Sequence, residues 1–297
     1  MRKKPASLRN DRLLLRIHIL PKLGKVALEA VNRTDLAALH HALRATPTTA
    51  NRVASLLSKM FNLAERWGLR ADGSNPCRHL ERYRERARRR FLTREETARL
   101  GQALDESERD GSETQAATAA IRLLLLTGAR VGEILSLRWE DVDTETRCLR
   151  LPDSKTGAKE IPLGHAAYEL VLSLNHGESD YVIPGRCADA PLVNLNKAWR
   201  RIRARAGLGD VRLHDLRRTA ASAGASIGLS LETVGQLLGH AQVATTKRYA
   251  FLFDDAKREA AELLSARLAT DLGRPGPVSF VERRRSRLGQ LRSSSRS

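Results

Sequence analysis

No apolar run in this chain approaches the roughly eighteen residues of a membrane-spanning helix. The run Leu123–Leu126 fits only a short buried helix. The basic start Met1-Arg2-Lys3-Lys4 is not followed by the apolar region of a secretory signal, so export is not expected. Cysteine is scarce: Cys77, Cys148 and Cys187 lie far apart and in no metal-ligand spacing. That argues against a disulfide framework and for a reducing cytoplasm. The adjacent pair His40-His41 has no third ligand nearby and reads as a helix-surface pair, so no metal and no cofactor are expected.

Acidic residues are also few, 34 against 52 basic ones, leaving a formal net charge of +18. Only ten of the basic residues are lysines and 42 are arginines. Arginine forks onto phosphate oxygens through two parallel hydrogen bonds. The surplus therefore favours a polyanionic partner, with DNA, RNA and an anionic membrane all satisfying it. The bland alternative is a basic tail added to solvated helix faces.

At 297 residues the chain is long enough for one large or two ordinary domains. Residues 7–80 read as three helices: Leu8 to Leu20, ended by Pro21; Thr34 to Leu43; and Thr49 to Trp67, stopped by Gly68. On the third, Val53, Leu56, Leu57, Met60 and Phe61 form an apolar stripe, while Arg52, Lys59 and Arg66 point elsewhere and are candidates for DNA binding. Residues 78–90 form a charged connector, either a solvated helical linker or a strap along a nucleic-acid backbone. A capping box, Thr93 with Glu96, opens the next domain. Helices are expected near Thr93–Leu104, Gln115–Thr127 (broken by Gly128) and Val131–Leu137. Two short strands, Cys148–Leu151 and Glu160–Leu163, are joined by P-D-S-K-T-G-A-K. Further helices follow around His165–Leu174, Asn194–Ala206, His214–Ile227, Leu231–Leu238 and Asp254–Thr270, with another at or just before Tyr249. The tail from Gly273 is too polar to pack. The fold class is thus mainly α with a small antiparallel β-hairpin, divided as 1–85, 86–272 and a basic tail 273–297.

A set of basic residues recurs in fixed order through the second domain. Arg130 stands in T-G-A-R, Lys155 in S-K-T-G, His214 and Arg217 in H-D-L-R-R, and His240 in L-L-G-H. Tyr249 follows in T-T-K-R-Y-A, and Glu133 lies three residues after Arg130. Cleaving a phosphodiester takes a nucleophile, charge on the nonbridging oxygens and a proton for the leaving oxygen. Without a metal signature, protein cations must supply the charge. Arg130 and Arg217 suit the role of forks on a phosphate. Taken singly, Arg130 reads as a helix-end arginine and Arg217 as a surface charge. Glu133 shares a helix face with Arg130 and orients it or a neighbouring histidine. His214 and His240 can hydrogen-bond the phosphate, and imidazole can move a proton near neutral pH.

Over residues 91–268 the chain resembles the tyrosine recombinases of the phage integrase family. The resemblance implies that Tyr249 attacks phosphorus to give a 3′-phosphotyrosine and a free 5′ hydroxyl. It implies that Lys155, at the hairpin tip, protonates the departing oxygen. It likewise implies a helical core-binding domain ahead of the catalytic one; the chain departs from the family in a shortened start and no visible arm-site-binding domain, as in a simple recombinase or a sequence whose true start lies upstream. The function expected is site-specific integration, excision or resolution of a mobile element by a homo-tetramer on double-stranded DNA. An excision factor or a host DNA-bending protein would be further partners, in a cytoplasmic, nucleoid-associated setting. The helix Asp254–Thr270, with Leu263, Leu264 and Leu268, would dock on a neighbouring protomer or pack on its own domain. Two other readings are a type IB topoisomerase, which shares the chemistry, and a DNA-binding remnant without catalysis.

Overall fold

The computed structural model describes residues 3, 5–85, 88–154, 157–187, 190–239 and 254–272. It falls into two compact units, Met1–Arg88 and Arg89–Ser297. In the first, α1 (Pro5–Leu14) continues through a π-helical turn, Leu15–Ile19, and a last turn, Leu20–Leu23. The helix therefore does not stop at Pro21. The wide turn, in which the Leu20 N–H reaches Leu15 O, places Pro21 at the start of a new turn where no N–H is required. Helix α2 (Arg33–Ala42) is capped by Asn32, whose side chain accepts from Thr34 N and Asp35 N. Helix α3 (Pro47–Arg66) buries Val53, Leu56, Leu57 and Phe61 against Ile19, Val31, Leu36 and Leu39. Met60, expected in that stripe, is 38% exposed.

The histidine pair splits between two environments. His41 is exposed, but His40 is buried, stacked on Tyr83 at 4.3 Å between ring centroids. The Asn51 amide group donates to Tyr83 O at 2.8 Å and its carbonyl oxygen accepts from Tyr83 N at 3.0 Å. These bonds hold Tyr83 in a stretch, residues 80–85 of the charged connector, that has no helical structure, so the helical-linker expectation fails there. A side-chain amide that satisfies a neighbouring backbone on both sides competes with helix formation.

The second unit is built round α5 (Gln115–Thr127), in which Ile121, Leu123 and Leu124 are fully enclosed. Around it lie α4 (Arg94–Arg109), α6 (Val131–Leu135), α7 (His165–Leu172), α8 (Leu195–Arg205) and α9 (Leu213–Ser226). Thr93 and Glu96 cap α4 reciprocally. The entry segment is fastened to α9, because Leu92 N donates to Thr219 Oγ1 at 3.0 Å. A three-stranded antiparallel sheet has the order β1 (Val142–Asp143), β2 (Cys148–Ser154), β3 (Gly157–Pro162). Strand β1 is too short to leave a periodic signal in the sequence. In β2 and β3 the register pairs Leu149 with Ile161 and Leu151 with Lys159. Helix α10 (Leu231–Leu237) packs on α9 through Ala221, Ala225, Val234 and Leu238. Helix α11 (Asp254–Asp271) leaves Leu264 and Leu268 exposed, and Leu272 just beyond it likewise. No helix among the described residues is long and apolar enough to cross a membrane.

Gly128 ends α5 in the left-handed conformation, φ +63°. A Cβ there would lie 2.5 Å from Leu238 Cδ2. Gly128→Ala is expected to lower unfolding free energy by about 1–2 kcal/mol from backbone strain alone, with the clash adding to it, as urea denaturation would measure.

Candidate active site

The T-G-A-R turn carries Arg130 at the N-cap position of α6, one turn before Glu133. Glu133 is 7% exposed and its carboxylate takes three hydrogen bonds. Arg130 N donates at 2.8 Å and Arg130 Nη1 at 2.7 Å. The third donor is Lys159 Nζ, also at 2.7 Å. Burial alone would push the Glu133 carboxyl up, but the bonds from Lys159 and Arg130 outweigh it and hold the group below its ordinary value. Lys159 comes from β3, where strand alternation turns it inward with Ile161. Its side chain is 8% exposed. Burial lowers its pKa, Glu133 opposes that, and the charges of Arg130 and Arg217 add to the lowering.

Arg217 comes from α9 and is 2% exposed, so it is not a surface charge. Its Nη1 donates to Gly128 O at 2.6 Å and its Nη2 to Leu238 O at 2.8 Å. It thereby fixes the backbone two residues before Arg130 and two residues before His240. His214 lies one turn earlier on α9, accessible to solvent yet closely surrounded by protein. Desolvation lowers its pKa; the charges of Arg218, Arg217 and Arg130 add to this, and Asp215 opposes it. Solvent screens part of that shift. The same two arginines thus act on both His214 and Lys159, which places α6, β3 and α9 around one cationic focus.

Lys155, His240 and Tyr249 lie outside the described residues. Arg52, Lys59 and Arg66 are all exposed on α3, seven residues apart and hence along one stripe of that helix. Ser55, between the first two, accepts from Arg82 Nη1 at 2.6 Å, which adds a fourth basic residue beside the stripe. A groove of about 550 Å³ runs beside Arg52 and Lys59, lined on its other side by Ser7, Asn10 and Asp11. No cluster of metal-ligating side chains occurs among the described residues.

The residue at this focus that reading the sequence missed is Lys159. Its four residues of separation from Lys155 made it look like part of the turn. The signal was strand parity: counting back two from the apolar Ile161 puts Lys159 on the inner face.

The phage integrase family model matches residues 90–255, more than half of the chain. The chain belongs to the phage integrase family. It is 30% identical over 217 residues to a shufflon-specific DNA recombinase of Escherichia coli, a match covering 69% of this chain and 52% of that protein. The chain therefore spans about half the length of that relative. It is 27% identical over 241 residues to the tyrosine recombinase XerD of Neisseria meningitidis, covering 77% and 81% of the two chains. Among solved structures it is similar to the Tn1549 transposon integrase in complex with transposon right end DNA. That match has a TM-score of 0.70 at 19% identity and covers 89% of this chain and 95% of that one. It is also similar to a lambda integrase dimer bound to a COC′ core site, with a TM-score of 0.68 at 22% identity, covering 85% and 90%.

Two outcomes follow from the geometry. Arg217→Ala removes the side-chain donor from both Gly128 O and Leu238 O and should cost about 2–6 kcal/mol of stability, from roughly 1–3 kcal/mol for each buried acceptor, read by denaturant unfolding. His214 should titrate below its ordinary value of 6.5 in the free protein. The unfolded chain then binds the proton first, so His214 detracts from stability only as pH falls from 6.5 through the folded value. Imidazole NMR checks the direction, and a midpoint above 6.5 would contradict it.

Proposed function

We propose that the chain is a site-specific DNA recombinase that breaks and rejoins strands through a covalent link to Tyr249. The observation that carries this reading is the convergence of Arg130, Arg217 and His214 in a chain of the phage integrase family. Two guanidinium groups and an imidazole at one focus suit the charge that develops on the nonbridging oxygens of a phosphodiester under attack. Removing one preorganised donor of this kind costs about 10²–10³ in rate.

In the first half-reaction the Tyr249 oxygen forms a bond to phosphorus as the bond from phosphorus to the 5′ oxygen breaks. Lys155 gives that oxygen its proton, leaving a 3′-phosphotyrosine and a free 5′ hydroxyl. An unperturbed phenol titrates near pH 10, so cations around it favour the attacking phenolate. His240 would bind the same phosphate. Attack by the 5′ hydroxyl of another strand reverses the chemistry, and the stored bond energy makes ATP unnecessary. Glu133 stays out of the bond changes and holds Arg130.

The partner is double-stranded DNA, held by the arginine surplus and by Arg52, Lys59 and Arg66 on α3. We infer a homo-tetramer on two synapsed sites, working on a mobile element in the cytoplasm at the nucleoid. An excision factor or a host DNA-bending protein would set the direction. The solved neighbours that support assembly on DNA include a lambda integrase tetramer bound to a Holliday junction. The division into a core-binding domain, 1–85, and a catalytic domain, 86–272, is part of the same proposal.

The test is covalent trapping on nicked duplexes carrying the ends of the element that encodes the chain. The native protein should leave an adduct on a denaturing gel, and Tyr249→Phe should leave none while binding DNA nearly as well. Equal capture by the two would overturn the role of Tyr249. Binding should also weaken steeply with salt, since each phosphate contact adds about −0.9 to the slope of log affinity against log salt. A flat salt dependence in a filter-binding assay would contradict the phosphate-dominated interface.

A further inference from the structure

We infer that Lys159 is a positioning residue for the reaction, holding Arg130 in place through Glu133. The inference rests on the recombinase reading for its kinetic consequence, but its structural content stands on geometry alone. Lys159 Nζ lies 2.7 Å from Glu133 Oε2, while Glu133 Oε1 receives Arg130 Nη1 at 2.7 Å. Both carboxylate oxygens are thus occupied, and the carboxylate is clamped from β3 on one side and from the T-G-A-R turn on the other. An arginine held at one Nη atom by an anchored carboxylate presents the rest of its fork in a fixed plane.

A second, independent observation concerns Gly239. This residue has φ +68° and directly precedes His240. A Cβ on it would sit 2.7 Å from Lys159 Cδ and 3.0 Å from Lys159 Nζ. The stem of Lys159 therefore runs directly against the backbone at Gly239, and a side chain there would push the lysine out of its present path. Three motif segments far apart in sequence meet on one side chain: Arg130 and Glu133, the hairpin strand β3, and Gly239. The Lys159 anchor also sets where β3 is tethered.

The charged groups facing Lys159 are Glu133 and Arg130 from the α6 turn and Arg217 from α9. The Glu133 carboxylate serves two of these cations, Arg130 and Lys159. Losing the Lys159 charge removes the one donor to Glu133 seen from outside the T-G-A-R turn, so the carboxylate that holds Arg130 is fastened only to Arg130's own N–H groups and loses its tether to β3. Misplacement of a reacting group by roughly 1 Å can cost about 10² in rate.

The experiment pairs Lys159→Met, which keeps an unbranched apolar stem, with Lys159→Arg, which keeps a cation. In single-turnover cleavage of a nicked duplex, Lys159→Met should lower the rate at saturating DNA by about 10²-fold. Half-saturation should stay near that of the native chain, and Lys159→Arg should recover much of the rate. Loss confined to DNA affinity, or an unchanged cleavage rate, would overturn the inference. A DNA-free readout accompanies it: the Glu133 carboxyl carbon of the native protein, followed by NMR into the alkaline range. A second inflection below the ordinary lysine value of 10.5, as Lys159 discharges, supports the clamp. A single acidic inflection overturns it, even if Lys159→Met does not fold. If the native chain forms no adduct at all, the recombinase reading fails, while the Glu133 titration still decides the clamp.

Discussion

The buried carboxylate of Glu133 is the constraint on which the rest of the site depends. A carboxylate withdrawn from water is costly unless donors replace the solvent. Here the replacements are the Arg130 backbone and guanidinium and the Lys159 ammonium. Satisfying that single group obliges Arg130 to cap the start of α6 and β3 to dock with Lys159 inward. Gly239 must then pass closely over the lysine stem. The second fastening is Arg217, whose two bonds to Gly128 O and Leu238 O tie the same segments together through their backbones. One acid and one arginine therefore hold in place three stretches of chain that folding must bring from far apart.

The same economy sets the electrostatics. Arg130 and Lys159 share the Glu133 carboxylate, and the charges of Arg130 and Arg217 both act on Lys159, so positive charge is in excess around that lysine. The lowered pKa values of Lys159 and His214 record that excess together with burial. A phosphodiester entering the focus would offset the repulsion, so the strain of assembling the cations turns into attraction for the substrate. Preorganised charge of this kind acts most strongly where water is excluded.

Much of this was legible in the sequence because helix signals are local. The Thr93–Glu96 capping box, the apolar run of α5 and its terminating Gly128 lie where periodicity and turn chemistry place them. The three-residue spacing from Arg130 to Glu133 put both on one face before any contact was known. What escaped depends on contacts distant in sequence. His40 looks like a surface residue until Tyr83 and Asn51 cover it. Pro21 looks like a terminator until a π turn precedes it. Residues 80–85 have the composition of a charged helix, but Asn51 takes up the backbone at Tyr83 instead. Lys159 belongs to the same class: its burial becomes visible only once β3 is registered against β2 and the carboxylate it serves is in place.

The most direct test of this account is the unfolding free energy of Glu133→Gln, measured beside the native chain in denaturant. The substitution preserves shape and removes the charge that Arg130 and Lys159 share. If the carboxylate organises the site, stability should fall by about 3 kcal/mol, the lower end of what breaking a buried ion pair costs. A change within about 0.5 kcal/mol, the size of an ordinary surface substitution, would contradict it, and would mean that Arg217 alone holds these segments together.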